Sequence, residues 1–248
     1  MKLLVTTALL ALAMPLAAQA QTVPANITAA LADPARPADQ RARDAARHSG
    51  EILALAAIKP GDKVADFLMG GGFWTRILSP AVGPKGHVYA YQAAEFIGYR
   101  AAYATEQDEA VKGYANVTPL RMGLAEVAFA EPLDAIVTVQ NYHDLHLKFA
   151  PPGAAKLITA RLFTALKPGG VLLVVDHVAN PDPGFAAPDA LHRIDPAAAR
   201  AEIESVGFKF ETESPLLRNP ADPHTASVFA PDIRGKTDQF VHVYRKPK

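Results

Sequence analysis

The chain of 248 residues contains no cysteine, so no disulfide staples it, no lipid anchor can be built on a thiol, and its stability rests on core burial. It lacks an excess of either charge: Lys and Arg together number 25, as do Asp and Glu. The basic residues form no stripe, which removes the electrostatic case for a nucleic-acid or membrane-surface partner. There is a single tryptophan, no internal repeat, and no linker that would split the chain. The one long apolar run, Leu3 to about Leu16, is short for a membrane span. What remains is the composition of an ordinary soluble protein, half hydrophobic and one fifth charged, at a length that suits one sizeable α/β domain.

That apolar run has an early Lys2 before it and Ala18-Gln19-Ala20 after it. A basic start, an apolar middle and an A-x-A end are the pattern of a secretory signal removed before Gln21, so residues 1–20 are expected to direct the chain to the periplasm or outside the cell. Residues 21–37, rich in Pro and Ala, read as a flexible leader, and residues 38–248 as one domain.

From Ala38 the pattern alternates. A helix is expected over 38–58, stopped by Lys59-Pro60-Gly61-Asp62, then a buried strand over 63–68 and a helix over 74–82. Strand 87–91 and helix 93–112 follow, then strands 117–122 and 133–139, helix 147–166, and the apolar strand 170–176, "GVLLVVD". An amphipathic helix over 195–206 is ended by Gly207, and strands 208–213 and 239–245 close the chain. Strands alternating with helices specify a parallel sheet covered on both faces; the last two strands, joined by a loop without a helix, are expected to pair antiparallel.

Directly after the first strand, "VADFLMGGGFWTRIL" places Gly70, Gly71 and Gly72 behind the carboxylate of Asp66. Ligands of open parallel sheets sit beyond the carboxyl ends of the strands, and glycine lets a small molecule lie close to the backbone. The following helix would aim its free N–H groups at the same crevice. The nicotinamide fingerprint G-x-G-x-x-G fits poorly: Gly70 and Gly72 match, but Thr75 holds the third place, and Gln92 rather than an acid follows the second strand. Phe73 and Trp74 are candidates for an apolar wall of the site or for the core, and Tyr142 has the same two readings.

Several segments resemble the class I S-adenosylmethionine-dependent methyltransferases. "VADFLMGGGFWTRIL" is similar to their first motif, "VGPKGHVYAY" to the passage into their second strand, and "LKPGGVLLVVD" to their fifth strand with its preceding turn. "AEIESVGF" and "FVHVYRKP" resemble the last helix and the closing strand, and "QNYHDLH" with "RGKTDQF" is similar to a group of exported bacterial methyltransferase-like proteins. The resemblance implies an α/β, doubly wound, mostly parallel seven-stranded sheet with an antiparallel last strand. It implies S-adenosyl-L-methionine as cofactor, held around Asp66, Gly70, Gly71, Gly72, Gln92, Glu126 and Asn141, and methyl transfer to a small molecule. Leu68 stands where the family carries a glycine, and Gln92 where it carries an acid that grips the ribose; Glu95 and Glu126 are the acids nearest to the missing ones.

Five of the eight histidines follow late strands: His143 and His146, then His177 and His192, then His224 in the long loop 214–237. Asp144, Asp176, Arg193, Asp195, Arg218 and Asn219 accompany them. His143 is the first choice as general base, oriented by Asp144 or Asp176; Asp195 is expected to cap the helix that it precedes. His143, His146 and Asp144 with one further histidine offer ligand types suited to a metal, but with no third partner fixed by spacing no metal site is assigned. Three functions stay open: an exported methyltransferase, a non-catalytic binding protein on the same scaffold, and a metal-dependent enzyme using the loop histidines.

Overall fold

The computed structural model describes residues 22–150 and 153–248; the expected signal, residues 1–20, lies outside the described residues. Three short helices, α1 (Ala25–Leu31), α2 (Ala38–Arg41) and α3 (Ser49–Leu55), precede β1 (Lys63–Phe67). Helix α4 (Thr75–Val82) leads to β2 (His87–Ala93), and α5 (Ala94–Tyr99) and α6 (Ala102–Val111) lead to β3 (Val117–Met122). Then come β4 (Leu133–Val139), α7 (Ala154–Ala165) and β5 (Leu166–His177). The chain closes with α8 (Ala187–Leu191), α9 (Pro196–Ser205), β6 (Lys209–Ser214) and β7 (Gln239–Arg245).

The strands form one seven-stranded sheet in the order β3-β2-β1-β4-β5-β7-β6. The first five pair in parallel, and β7 runs antiparallel to both β5 and β6. The apolar runs explain the register: both faces of the central strands are buried, so side chains of either parity must be hydrophobic. Phe67, Tyr91, Ile136, Leu172 and Val174 fill one face; Val64, Val88, Val137, Leu173 and Val175 fill the other. The chain leaves β1 toward β2 on one side and β4 toward β5 on the other, so the strand order reverses between β1 and β4, where open α/β sheets bind ligands. Because β6 runs parallel to β1–β5, the loop 215–238 emerges on that same carboxyl edge.

Asp195 caps α9 as expected, its carboxylate accepting from Ala197 N–H at 2.8 Å with Pro196 in the first turn. The expected leader is corrected. Residues 25–31 form a helix whose Ile27 and Ala30 are buried, and Asn26 donates to the carbonyls of Ile58 and Ala81 at 3.1 and 3.0 Å. Ile27, Ala30 and Leu31 share one helical face, a period that the Pro/Ala composition hides. The single helix expected over 38–58 is interrupted: Arg36 is buried against Asp44 at 2.7 Å, and His48 adopts φ 47. Likewise 93–112 is two helices, broken at the extended Arg100, and the helix expected from 147 starts only at Ala154.

Candidate functional site

The turns that follow β1 and β4 face each other across the reversal point and floor a cavity of about 490 Å³. On the β1 side the floor is Leu68 and Gly70. On the β4 side it is Gln140 and Asn141, with His143 and Asp144 above them. Leu68 and Gln140 are both left-handed, φ 60 and 64, a conformation that costs a non-glycine residue about 1–2 kcal/mol. Asn141 holds them in place by donating to the carbonyls of Leu68 and Val139 at 2.9 and 2.8 Å. Strained backbone stapled at a cavity floor is characteristic of functional positions.

The three glycines separate in role. Gly70 has φ 52 and lines the cavity, and a Cβ placed on it would meet nothing within 4 Å. Gly72, at φ 75, packs on α6 instead, where a Cβ would stand 2.3 Å from that of Ala110. Gly71 lies outside the cavity, its carbonyl accepting from Arg76 at 2.8 Å. Of the three, only Gly70 lines the cavity. Its N–H donates to Gln92 Oε1 at 3.0 Å, which fixes the orientation of that buried amide at the cavity edge. Leu68, where the resemblance would place a glycine, does not plug the hollow but forms part of its wall.

Asp66 does not reach the cavity. Its carboxylate is buried under the turn and accepts from Thr75 Oγ1 at 2.5 Å, tying β1 to the start of α4. Burial raises its pKa to about 6 against the hydrogen bonds from Thr75. Glu126 is likewise outside the main cavity; Glu95 turns to accept from Leu124 N–H at 3.0 and 3.1 Å and borders a smaller hollow of about 240 Å³. Phe73 and Trp74 belong to the core, with the Arg47 guanidinium 4.6 Å from the Phe73 centroid. Tyr142 is core too, its hydroxyl within 2.9 Å of Thr159 and donating to Glu202 at 2.8 Å.

The opposite wall is ionic. His143 is almost fully buried, its N–H and Nδ1 both donating to Asp176, at 2.7 and 2.8 Å. Its Nε2 lies 3.2 Å from Asp144 Oδ1 and 3.3 Å from His192 Nδ1. Burial alone would lower the pKa of His143, but Asp176 and then Asp144 reverse this and lift it to about 10. Both ring nitrogens are thus engaged, Nδ1 with Asp176 and Nε2 with Asp144 and His192. Asp144 is held below the usual carboxylate range: burial raises it, but His143 and His192 outweigh that. His177, whose Nδ1 is 2.8 Å from Thr237 Oγ1, lines the same cavity, and burial lowers its pKa to about 4.

His192 comes from the segment after β5. That segment continues beside the sheet through the parallel bridge of Val178 with Ile194, and His192 itself takes φ 52, turning its ring against His143 and Phe229. Neighbouring Arg193 is fully buried in an ion pair with Asp222 at 2.8 Å. Asp238 accepts from Arg218 at 2.9 Å and lies 3.0 Å from His224, and Asn219 donates to Lys236. These residues tie down the loop 215–238, which brings Val228 and Phe229 to the cavity; His224 stays outside it. His146 also stays outside, bonding Glu202 at 3.2 Å and stacking on Phe185. Three rings that sequence reasoning did not select, Phe96, Tyr99 and Tyr103, line the cavity from α5 and α6; their i, i+3, i+7 spacing, which by itself marks only a helix face, is the signal that carries them.

No family model matches the chain. A stretch of 125 residues is 30% identical to the protein-L-isoaspartate O-methyltransferase of Ignicoccus hospitalis, covering 50% of this chain and 51% of that protein. The chain thus spans about half the length of the curated relative it matches. The structure of an S-adenosylmethionine-dependent methyltransferase from Aquifex aeolicus superposes with a TM-score of 0.58 over 88% of this chain and 96% of that one, at 22% identity. A protein from Bordetella parapertussis described as a possible exported protein superposes at 0.51 over 84% of this chain and 68% of that one, at 18% identity. Sheet order and site place the chain in the doubly wound α/β class with a ligand crevice at the reversal point. More narrowly, its fold is that of the class I S-adenosylmethionine-dependent methyltransferases.

Proposed function

We propose that the protein is an exported methyltransferase that uses S-adenosyl-L-methionine to methylate a small molecule. The observation that carries this reading is Gly70: a left-handed glycine with open space above it, on the floor of a cavity of about 490 Å³ at the sheet's reversal point. That volume lies within the range of small-molecule sites. The cradle suits the cofactor, because Gly70 lines the cavity with bare backbone and open space beside it. Backbone of Gly70 and the side chains of Gln92 and Asn141 would hold the cofactor, which when bound supplies an electrophilic methyl group.

This chain's own contribution is placement. The aromatic lip of Phe96, Tyr99 and Phe149 and the loop residues Val228 and Phe229 border the cavity, offering apolar surface to a bound ligand. The ionic wall of His143, Asp144 and His192 would orient a polar acceptor in line with the methyl group. His143 acts as a positioning residue, holding Asp144 toward the cavity while Asp176 fixes its ring. A cavity of this volume suits a small acceptor. Export is supported by the composition of residues 1–20 and by the likeness to the Bordetella protein; no described helix is long and apolar enough to cross a membrane.

Calorimetric titration of the mature protein with S-adenosylmethionine and S-adenosylhomocysteine tests the reading. Saturable heat is expected with both, and none at millimolar ligand would remove it. A second reading, binding without turnover, draws on Gln92. An amide whose oxygen already accepts from Gly70 offers a ribose less than a free carboxylate would. Ligand binding without methyl transfer to any of a panel of hydroxyl, amine and thiol acceptors would favour it.

A further inference from the structure

Three donor atoms converge on one point of the ionic wall: His143 Nε2, Asp144 Oδ1 and His192 Nδ1. The edges of this triangle are 3.2 Å between His143 and Asp144, 3.3 Å between His143 and His192, and 3.8 Å between His192 and Asp144. Zinc bonds to nitrogen and oxygen of 2.0–2.2 Å set tetrahedral donors about 3.3 Å apart. We propose that these three side chains form a binding site for a divalent cation of the zinc class, with its fourth coordination position open to the cavity.

Four observations support it beyond the triangle itself. The Nδ1 of His143 donates to Asp176 at 2.8 Å and its main-chain N–H to the same carboxylate, the arrangement that orients a ligating imidazole and presents Nε2 to the metal. His192 is held in a left-handed conformation at the end of α8, which aims Nδ1 at the other two donors. All three residues line the cavity, so an ion has a route in. Two imidazoles and one carboxylate with no fourth protein donor are the donor set of catalytic rather than structural sites. Two neighbours are excluded: His146 turns to Glu202 and His177 to Thr237.

An ion here would take the place of the proton on His143 Nε2. Its open position would hold an oxygen, nitrogen or sulfur atom of the acceptor and lower that atom's pKa. This last role rests on the methyl-transfer reading; binding of the ion does not, and is measured without S-adenosylmethionine.

The experiment uses the full mature chain without an affinity tag, stripped with chelator and titrated with Co²⁺ and then Zn²⁺. One equivalent of Co²⁺ should give the visible absorption of a low-symmetry N/O site, displaced by Zn²⁺, and Zn²⁺ should raise the melting temperature. His192→Ala, a partly exposed change, should abolish the band, whereas His146→Ala should bind as the parent does. Asp176→Asn should weaken binding ~10–100-fold; if it unfolds, as circular dichroism will show, His192→Ala decides alone. Absence of a band and of a thermal shift in the parent protein would overturn the proposal. So would a one-equivalent band that survives His192→Ala, since the ion would then sit elsewhere.

Discussion

The two walls of the cavity are built by different means. The wall after β1 and β2 is electrically neutral: a bare glycine, a main-chain N–H and an amide that answer one another. The wall after β4 and β5 is a chain of titratable groups, Asp176, His143 and Asp144, each paired with the next. A neutral, shape-defined surface suits a ligand recognised by its outline and a few hydrogen bonds. A charged one, drawn from water at a desolvation cost, suits work on a reacting atom. In the function proposed above, binding and chemistry would be divided between the two sides of the reversal point.

The division can be broken one side at a time. Gly70→Val should lower cofactor affinity about 100-fold or more; a Cβ there meets open space, so the cost to the fold is the left-handed strain, at least about 1–2 kcal/mol. His143→Gln should leave that affinity within about threefold while reducing turnover by roughly 100-fold through lost positioning of the acceptor. Calorimetry and single-turnover kinetics on both variants measure this, and affinity lost equally in both would erase the distinction. Gly72→Ala sharpens it, since the added methyl would overlap Ala110. It should destabilise by about 2–3 kcal/mol in denaturant melts with the remaining folded protein binding normally.

Asp66, beneath the neutral wall, gives a prediction in pH. Its pKa is raised to about 6 in the fold, so the folded chain holds this proton more tightly than the unfolded one. The resulting stability is present below about pH 4 and lost as pH rises through 6. Asp66→Asn should therefore be about 2–3 kcal/mol more stable than the parent at pH 8, with the gap closing toward pH 4. A gap independent of pH would show that Asp66 is not held in this way. The smallest effect expected is that of Leu68→Gly. Relief of the left-handed strain offsets the lost apolar burial, so stability should change by less than about 1 kcal/mol.

The sheet was legible because alternating apolar runs dictate it; for His143 the sequence offered Asp144 or Asp176 as the orienting carboxylate, and the fold brings both to its ring. Residues placed by loops were not legible. His192 reaches His143 only because Ile194 bridges Val178 and Arg193 is anchored on Asp222, contacts between segments distant in sequence. Asp66 lies at the expected place in the chain but faces inward, as the parity of a buried strand does not reveal which carboxylate meets solvent. Gly70 and Gly72 look alike in sequence; only the position of α6 separates a ligand contact from a packing contact.

The loop 215–238 is fastened by buried ion pairs at Arg193 and by Asp238, whereas the facing lip consists of exposed rings, Tyr99 at 89% and Phe149 at 51%. If a ligand enters the cavity, the exposed aromatic lip rather than the ion-paired loop would be the side that yields. The pace at which spent product departs would then be set by how readily Tyr99 and Phe149 swing aside.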